Sequence, residues 1–232
     1  MKAGRGGGAP PDTPKYGAPG SPSVRIIEVF HSVQGEGPLT GVRTTFVRTA
    51  TCNLRCAWCD TPYSFGPGTP RTLASLLEEI EAHGTRYVCL TGGEPLLQRD
   101  APAFVRAASR RGWTTVIETG GSLDVGPYLR IPRVVLSVDV KGPSSKMENR
   151  NRWSNLAKLR RTDVLKFVVG DRADYDYAKA VLRDRPCRAQ KLFQPVWGSD
   201  VATLAQWVLD DRLDVRLMLQ QHKHIWGDVP GR

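Results

Sequence analysis

The feature that most constrains the fold of this chain is a regular alternation of largely apolar strands with amphipathic helices. Strands of this kind that alternate with helices indicate a parallel sheet covered by helices. The predicted strands are VRIIEVF (24–30), RTTFVRT (43–49), YVCLTGG (87–93), TTVIETGG (114–121), RVVLSVDVKGP (133–143), VLKFVVG (164–170), KLFQPV (191–196) and VRLMLQ (215–220). The predicted helices are LASLLEEIEAHG (73–84), APAFVRAASRRG (101–112), ADYDYAKAVLRD (173–184) and DVATLAQWVLDD (200–211). No internal linker interrupts the pattern, which predicts a single domain over residues 23–232.

The ends of the strands distinguish a barrel from an open, doubly wound sheet. Polar or glycine-rich motifs follow the strands: CNLRCAWCD, TGGEP, ETGG, DVKGP, QPVWG and QQHKH. Loops from many consecutive strands build the site of a (β/α) barrel, whereas a doubly wound sheet concentrates its site at one switch point. Six such units are too few for a closed eight-stranded barrel. We therefore predict an incomplete, splayed (β/α)6-type partial TIM barrel.

The N-terminal segment MKAGRGGGAPPDTPKYGAPGSP (1–22) is rich in glycine and proline and nearly free of large apolar residues. Such a segment cannot bury enough surface to offset its ordering entropy, so we predict a disordered tail. The chain has no apolar run long enough for a transmembrane helix, and its N-terminus lacks the apolar core of a signal peptide. We expect a cytoplasmic protein that does not bind membranes.

The formal net charge of +10 at pH 7 raises the question of a nucleic-acid partner. The basic residues are spread along the chain, and they form no aromatic–basic stripe or known nucleic-acid-binding motif. We therefore expect no nucleic-acid partner. A positive field still favours the approach of an anionic small molecule.

Three of the five cysteines, Cys52, Cys56 and Cys59, lie within eight positions of the sequence. A structural zinc site needs four ligands. Cys89 in an apolar strand and Cys187 far along the chain lack the paired spacing of such a site, so we expect both to be buried or incidental. An iron–sulfur cluster fits the trio better, because a compact loop can supply thiolates to three corners of a cube. The fourth iron then remains open, and an open metal position indicates chemistry.

The cysteines are separated by three and then two residues, with Trp58 before the last of them. About thirty residues later, across one helix, stands TGGEP (91–95). Adjacent glycines allow the backbone to approach a ligand closely. The two motifs together resemble those of the radical S-adenosylmethionine (SAM) superfamily. This resemblance implies a 4Fe–4S cluster whose open iron binds SAM, and a radical that abstracts hydrogen from a substrate within an enclosed barrel face.

Three further stretches narrow the resemblance: SVQGEG (32–37), FVRTATCNLRCAWCDT (46–61) and QQHKHIWG (220–227). From about Ile26 to Trp226 the chain resembles the 7-carboxy-7-deazaguanine synthases. The resemblance implies conversion of 6-carboxytetrahydropterin to 7-carboxy-7-deazaguanine with loss of ammonia, in queuosine-type 7-deazapurine biosynthesis. It also implies Mg²⁺ beside SAM and the cluster, an electron donor such as flavodoxin or ferredoxin, and a homodimer.

The resemblance also implies roles for individual residues. Positions that match substrate-binding residues are Gln34, Gly35, Glu36, Arg48, Thr91 and His222. Positions that match cofactor-binding residues are Trp58, Cys59, Asp60, Gly93, Glu94, Thr119, Asp139 and Lys141. The cluster ligands would be Cys52, Cys56 and Cys59, and Thr61 matches the Mg²⁺ ligand. A hydroxyl is a hard oxygen donor of the kind that Mg²⁺ accepts.

Residue chemistry supports some of these assignments. The guanidinium of Arg48 is shaped for a substrate carboxylate, and the carboxylate of Glu36 can accept from the adjacent N–H donors of a pterin edge. Two positions depart from the usual pattern of the family. Asp139 opens Asp-Val-Lys where many relatives have Ser-Pro-Lys, although Lys141 is kept, and Thr51 stands before the first cysteine where glycine is usual.

Two other classes of protein compete with this interpretation. An activating enzyme that makes a glycyl radical on a partner protein shares the cysteine loop, but it usually lacks QGEG and would not turn over a small molecule. A non-enzymatic, metal-binding nucleic-acid module would need four zinc-type ligands and would show strongly salt-dependent binding. The purified protein would be brown with an iron–sulfur cluster and colourless with zinc.

The compact spacing of Cys52, Cys56 and Cys59 predicts that these three residues alone bind the cluster. Replacement of Cys89 or Cys187 by Ser should therefore leave the iron content and visible absorbance of the reconstituted protein unchanged. Cys56→Ser is the matched variant that should lose the cluster. Loss of iron in Cys89→Ser would contradict the three-ligand prediction.

Overall fold

The computed structural model describes residues 21–232, so residues 1–20, most of the predicted tail, lie outside the described residues. The strands are β1 (Ser23–Val33), β2 (Arg43–Thr49), β3 (Thr69–Thr72), β4 (Tyr87–Gly92), β5 (Thr114–Thr119), β6 (Val134–Val140), β7 (Val164–Val169), β8 (Gln190–Pro195) and β9 (Arg216–Leu217). The α-helices are α1 (Leu73–Ala82), α2 (Ala101–Arg110), α3 (Arg172–Asp184), α4 (Val201–Asp210) and α5 (Gln221–Trp226). None of the described helices is long and apolar enough to cross a membrane.

All nine strands belong to one sheet, in the order β3-β1-β2-β4-β5-β6-β7-β8-β9. From β2 to β9 neighbouring strands run parallel, whereas β1 pairs antiparallel with both β2 and β3. The edge strands β3 and β9 do not pair with each other, so the sheet stays open. The predicted incomplete, splayed barrel is confirmed.

Three elements differ from the sequence-based prediction. The short strand β3 was not predicted because it contains Pro70, and proline is tolerated in a strand only at an edge, which β3 is. The last strand, predicted over 215–220, spans only two residues because it has a neighbour on one side only. The chain then turns into α5, a helix of six residues that is too short to produce a clear helical pattern.

The core lies between the sheet and the helices. Helix α1 begins where the hydroxyl of Thr72 accepts a hydrogen bond from the backbone N–H of Ser75 at 3.2 Å. Its apolar side chains Leu76 and Ile80 are fully buried, and they join Ile117 of β5 in one apolar cluster. Burial of each such side chain contributes about 1.5–3 kcal/mol relative to exposure. This outer core holds the strands in place and leaves their opposite face for the site.

Polar side chains on the strands share the inner face because of the register. Asp139 of β6 lies beside Lys166 of β7, and Glu118 of β5 lies beside Ser137 of β6. Ser137 and Asp139 are two residues apart, and side chains two apart on a strand point to the same face. Glu118, Asp139 and Lys166 are therefore brought together inside the open barrel.

The link from β2 to the cysteine loop carries backbone strain at Thr51. This residue has a φ of 72°, which is an outlier for a β-branched side chain. Its carbonyl accepts from the N–H of Glu94 at 2.8 Å, and its N–H donates to the carbonyl of Ser64 at 2.7 Å. A Cβ atom on Gly93 would lie 2.1 Å from the same Thr51 carbonyl oxygen. Close backbone packing thus holds Thr51 in a conformation that suits glycine.

We predict that Thr51→Gly stabilises the protein. Relief of the left-handed conformation should stabilise the fold by roughly 1–2 kcal/mol. The greater entropy of glycine in the unfolded state should destabilise it by about 0.5–1 kcal/mol. Urea unfolding of cluster-free protein should show a net gain of about 0.5–1 kcal/mol. Thr40→Gly is the control, because the φ of Thr40 is −51° and glycine there should only destabilise. Equal losses in both variants would contradict the strain at Thr51.

Candidate active site

A cavity of about 710 Å³ opens at the carboxyl ends of the parallel strands. This volume is in the range of small-molecule and cofactor sites. Every predicted site residue lines it: Gln34, Gly35, Glu36, Arg48, Cys52, Cys56, Trp58, Cys59, Asp60, Thr61, Thr91, Gly93, Glu94, Thr119, Asp139, Lys141 and His222. The cavity wall also includes residues that the sequence analysis did not select, among them Glu118, Lys166, Gln220 and Lys223.

The cysteine loop presents three half-buried free thiols, on Cys52, Cys56 and Cys59. The loop after β6 fixes it, because the N–H of Ala57 donates to the carbonyl of Ser145 at 3.1 Å. Within residues 21–232, no three His, Cys, Asp or Glu side chains converge on one metal-ion position. All three thiols are free and line the same cavity, and thiolates are the ligands of iron–sulfur clusters, so this donor set fits a 4Fe–4S cluster.

Glu94 of the TGGEP loop ties two functional loops together. Its side chain is fully buried and accepts hydrogen bonds from the hydroxyl of Thr119 at 2.8 Å and from the N–H of Gly120 at 2.8 Å. A third bond, 3.0 Å long, comes from the N–H of Leu96. Burial raises the pKa of Glu94, although these hydrogen bonds oppose the shift. The carboxyl group therefore fixes the loop after β4 against the loop after β5.

Lys141 forms the wall of the cavity beside the cysteine loop. Its ammonium lies 2.6 Å from Asp139 and 5.2 Å from the centre of the Trp58 ring. The Trp58 indole donates to the hydroxyl of Ser144 at 2.9 Å, which holds the ring in place. Burial would lower the pKa of Lys141, but the charge of Asp139 outweighs this effect, and the pKa lies above its usual value. Asp139 thus keeps Lys141 charged and paired.

Arg48 is positioned by its neighbours across the sheet. The register of β1 and β2 places Glu28 beside Arg48, and the guanidinium Nε donates to Glu28 at 2.6 Å. The hydroxyl of Tyr63 donates to the same carboxylate oxygen at 3.0 Å, and the guanidinium lies 5.9 Å from the Phe30 ring centre. No described residue accepts a hydrogen bond from the two terminal nitrogens of Arg48. These nitrogens remain available to a ligand beside Thr91, the partner of Arg48 on β4.

Lys166 is the centre of a buried charge network on the inner face. Its ammonium lies 2.8 Å from Glu36, 3.2 Å from Glu118 and 3.3 Å from Asp139. Burial would raise the pKa of Glu36 and of Asp139, but nearby lysine charges lower both. Burial would lower the pKa of Lys166, yet the three carboxylates raise it well above its usual value.

The sequence analysis did not select Lys166 or Glu118, although each is a charged residue in or at the end of an apolar strand. A lone lysine stands inside the apolar strand VLKFVVG, and a glutamate precedes TGG at the end of another strand. Buried charges are rare unless they are paired. The two signals together therefore indicated a buried ion pair at the end of two predicted strands.

The loop after β1 meets α5 at the cavity mouth. A Cβ atom on Gly35 would lie 1.9 Å from Nδ1 of His222, so glycine allows the imidazole to pack on this backbone. The amide of Gln34 accepts from the N–H of Glu36 at 3.3 Å, and the amide of Gln220 donates to Glu36 at 2.9 Å. Burial lowers the pKa of His222, which favours the neutral ring.

Asp60 and Thr61 lie where the cysteine loop approaches α5. Asp60 accepts from the amide of Gln220 at 3.2 Å and lies 3.3 Å from the ammonium of Lys223. The Thr61 hydroxyl has a contact of 3.9 Å with the sulfur of Cys59, and this contact leaves at least one lone pair of the hydroxyl oxygen available. For Mg²⁺, the protein therefore offers one hydroxyl oxygen here, and the remaining ligands would be water or substrate oxygens.

The fold and the three-thiol cavity are those of a SAM-dependent radical enzyme. The family model described as the Radical SAM superfamily matches residues 46–175. A crystal structure of QueE from Escherichia coli has the same fold, with a TM-score of 0.72 over 86% of this chain and 95% of that one, at 24% identity.

Two curated relatives are named 7-carboxy-7-deazaguanine synthase. The protein of Thermoplasma acidophilum is 43% identical over 206 residues, which cover 89% of this chain and 99% of the relative. The protein of Koribacter versatilis is 39% identical over 223 residues, with coverage of 88% and 97%. The chain belongs to the 7-carboxy-7-deazaguanine synthase family of radical SAM enzymes. Membership of that superfamily implies a 4Fe–4S cluster and SAM as cofactors.

The buried network predicts a large and pH-dependent effect of removing Lys166. Lys166→Met removes the ammonium from Glu36 and Glu118 and leaves Asp139 with Lys141 alone, so the free energy of unfolding should fall by about 3–5 kcal/mol at neutral pH. The pKa of Glu36 and of Asp139 is lowered, so the contribution of Lys166 is present above the ordinary carboxyl range and is lost as the pH falls below it. Denaturant unfolding across that range should show the gap to wild type closing at acidic pH.

Lys179→Met is the control for this measurement. Lys179 pairs with Asp211 at 2.6 Å, but both side chains are about one-third exposed. Loss of such a pair costs less than about 1 kcal/mol. If Lys166→Met lowers the free energy of unfolding no more than Lys179→Met does, Lys166 does not stabilise the network.

Proposed function

We propose that this protein converts 6-carboxytetrahydropterin to 7-carboxy-7-deazaguanine with release of ammonia, as part of queuosine-type 7-deazapurine biosynthesis. The observation that carries the proposal is the presence of one available guanidinium and one ionised carboxylate in the cavity that the three thiols line. One wall of the cavity holds a guanidinium with two free nitrogens, and another holds the ionised carboxylate of Glu36. A carboxypterin carries a carboxylate and a guanidine-like edge of N–H donors, which complement these two groups.

The substrate would lie between the loop after β1 and strands β2 and β4. Arg48 binds its carboxylate through the terminal nitrogens, because Glu28 already occupies Nε. Glu36 accepts from the N–H donors of the pterin edge. Gln34, Gly35, Thr91 and His222 complete this part of the wall, and the neutral imidazole of His222 can donate or accept a hydrogen bond.

The cofactors would lie against the cysteine loop. The thiolates of Cys52, Cys56 and Cys59 hold the cluster, and TGGEP with Gly93 and Glu94 surrounds the methionine end of SAM. The remaining cofactor contacts come from Trp58, Cys59, Asp60, Thr119, Asp139 and Lys141. When bound, the cluster and SAM supply the radical that abstracts hydrogen from the substrate. The chain itself orients the substrate towards SAM and excludes water from the cavity.

A Mg²⁺ ion would be held by the hydroxyl of Thr61. Thr61 lines the cavity, its oxygen has at least one available lone pair, and Mg²⁺ usually keeps several water or substrate ligands. The neighbouring Asp60 faces the ammonium of Lys223, so it is less suited to a second cation. The metal would therefore bind mainly together with the substrate, where it can steer the reacting conformer.

We further propose that the enzyme is a cytoplasmic homodimer and receives electrons from a flavodoxin or ferredoxin. These assignments rest on the resemblance to the family. The domain is proposed to extend over residues 23–232, with residues 1–22 as a dispensable tail. Pro22 is the last residue before β1, and its carbonyl accepts from the N–H of Leu73 at 3.3 Å.

The experiment that tests the function is anaerobic iron reconstitution followed by incubation with SAM, dithionite and 6-carboxytetrahydropterin. We expect 7-carboxy-7-deazaguanine and ammonia in equal amounts, detected by mass spectrometry and an ammonia assay. The cluster-free Cys56→Ser protein is the negative control. A brown preparation that cleaves SAM but forms no product from this substrate would overturn the proposal and favour another radical enzyme.

The assignment of Arg48 and Glu36 to the substrate predicts separable defects. Arg48→Ala removes a partner from a charged substrate group, a loss of roughly 2–5 kcal/mol if that group is buried. Apparent substrate binding should weaken about thirtyfold or more. Glu36→Gln should also weaken binding, because a neutral amide replaces a charged acceptor.

In both variants the cluster should form, and SAM cleavage without substrate should continue at its background rate. Arg43→Ala is the matched control on the same strand, because Arg43 is exposed and donates to the carbonyl of Gly84 instead of lining the cavity. Substrate affinity and uncoupled SAM cleavage are measured in the same preparation. Collapse of SAM cleavage with unchanged substrate affinity would place Arg48 and Glu36 at the cofactor instead.

A further inference from the structure

Glu118 adds a further carboxyl group to the cavity wall, beside those proposed to bind the substrate and the cofactors. It stands at the end of β5 on the inner face, and its side chain is 15% exposed. One oxygen, Oε2, lies 3.2 Å from the ammonium of Lys166. The other, Oε1, is buried and has no hydrogen-bond partner among the described residues. An ionised carboxylate is stabilised by donors to both oxygens, so this environment favours the protonated form.

Glu36 and Glu118 contact the same ammonium, but their pKa values are shifted in opposite directions. Glu36 receives the shorter bond from Lys166, 2.8 Å, and a second bond from Gln220 at 2.9 Å. Burial raises the pKa of Glu118, and the charges of Glu36 and Asp139 raise it further, although the charge of Lys166 and the hydroxyl of Ser137 oppose them. Two carboxyl groups whose pKa values are pushed apart in one site are typical of a division into an acid and an ionised binding group.

The groups that face Glu118 come from four elements. Lys166 faces it from β7, Asp139 from β6, Glu36 from the loop after β1 and Cys89 from β4. Burial raises the pKa of the Cys89 thiol, so Cys89 stays neutral. Lys166 is therefore the one cation at Glu118 among these neighbours, and it is shared with two ionised carboxylates.

The proposed reaction requires proton transfers, and the binding of substrate and cofactors does not account for them. Loss of ammonia moves a proton to the departing nitrogen, and formation of the aromatic five-membered ring removes a proton from a ring carbon. We propose that Glu118 is a further catalytic residue, which contacts the substrate and performs these proton transfers during loss of ammonia. This inference rests on the function proposed above and deepens it.

The step balances without an added reactant. The Glu118 carboxyl group donates its proton as the carbon–nitrogen bond breaks, and the bonding electron pair leaves with the nitrogen as ammonia. The resulting carboxylate then removes the proton of the ring carbon, whose C–H electron pair enters the new ring. Glu118 ends protonated, as it began, and no oxidant or reductant is consumed in this step. Lys166 stabilises the transient carboxylate.

The test compares reconstituted wild type, Glu118→Gln and Glu148→Gln. Gln keeps the shape and a donor of the protonated acid but cannot exchange its proton. Glu148 is the matched control, because one of its oxygens is also buried without a partner in the described chain, yet it does not line the cavity. Each preparation is measured for iron content, uncoupled SAM cleavage, substrate dissociation constant and turnover across the pH range.

We expect Glu118→Gln to keep its iron, its uncoupled SAM cleavage and a substrate dissociation constant within about tenfold of wild type. Its turnover should fall about a hundredfold or more. Wild-type turnover should decline on the alkaline side as the carboxyl group with the raised pKa loses its proton, and this decline should be absent in the residual activity of the variant. Glu148→Gln should match wild type in every measurement.

Turnover of Glu118→Gln within about threefold of wild type at saturating substrate would overturn the inference. If the Gln variant fails to fold, Glu118→Asp replaces it, and an alkaline decline at the same pH as in wild type would overturn the inference. Failure of the proposed function is distinguishable, because wild type itself would then form no product while still cleaving SAM.

Discussion

The charge state of the whole site depends on the ammonium of Lys166. It stands 2.8–3.3 Å from three carboxyl groups that come from the loop after β1, from β5 and from β6. Without it, these groups would face one another in a site of low dielectric, and each would favour its neutral form. With it, Glu36 stays ionised on the substrate side, and Asp139 stays ionised beside Lys141 on the cofactor side. One buried cation thereby links the two halves of the cavity.

The register of the parallel sheet makes this network possible. Because Asp139 is opposite Lys166 and Glu28 is opposite Arg48, each ion pair is formed between direct neighbours across two strands. The open sheet leaves the inner face wide enough for a cavity of about 710 Å³. A closed barrel of eight strands would fill its interior with side chains. The open sheet thus leaves room for ligands, and the register places the charged side chains beside one another.

The loops at the carboxyl ends depend on backbone contacts more than on side chains. Thr51 accepts a left-handed φ of 72° because its carbonyl and N–H are both held, by Glu94 and Ser64. Gly93 fits against the same carbonyl only because it lacks a Cβ atom. Glu94 then joins the loop after β4 to Thr119 and Gly120 after β5. The cysteine loop is therefore presented on a hydrogen-bonded frame that the chain itself supplies.

The sequence by itself determined the class of fold, the cysteine loop and the loops that meet at one end of the sheet. Helical and strand periodicity and local motifs express these features, because they depend on residues close to one another in the chain. The sequence did not predict strand β3 or helix α5, because each is short and takes its conformation from its neighbours. Only the tertiary structure decided that Glu28 occupies one face of Arg48, that Lys166 gathers three carboxylates and that Glu118 keeps an unpartnered oxygen. These contacts join residues 20 to 130 positions apart, and their strength comes from burial, which no local pattern of residues encodes.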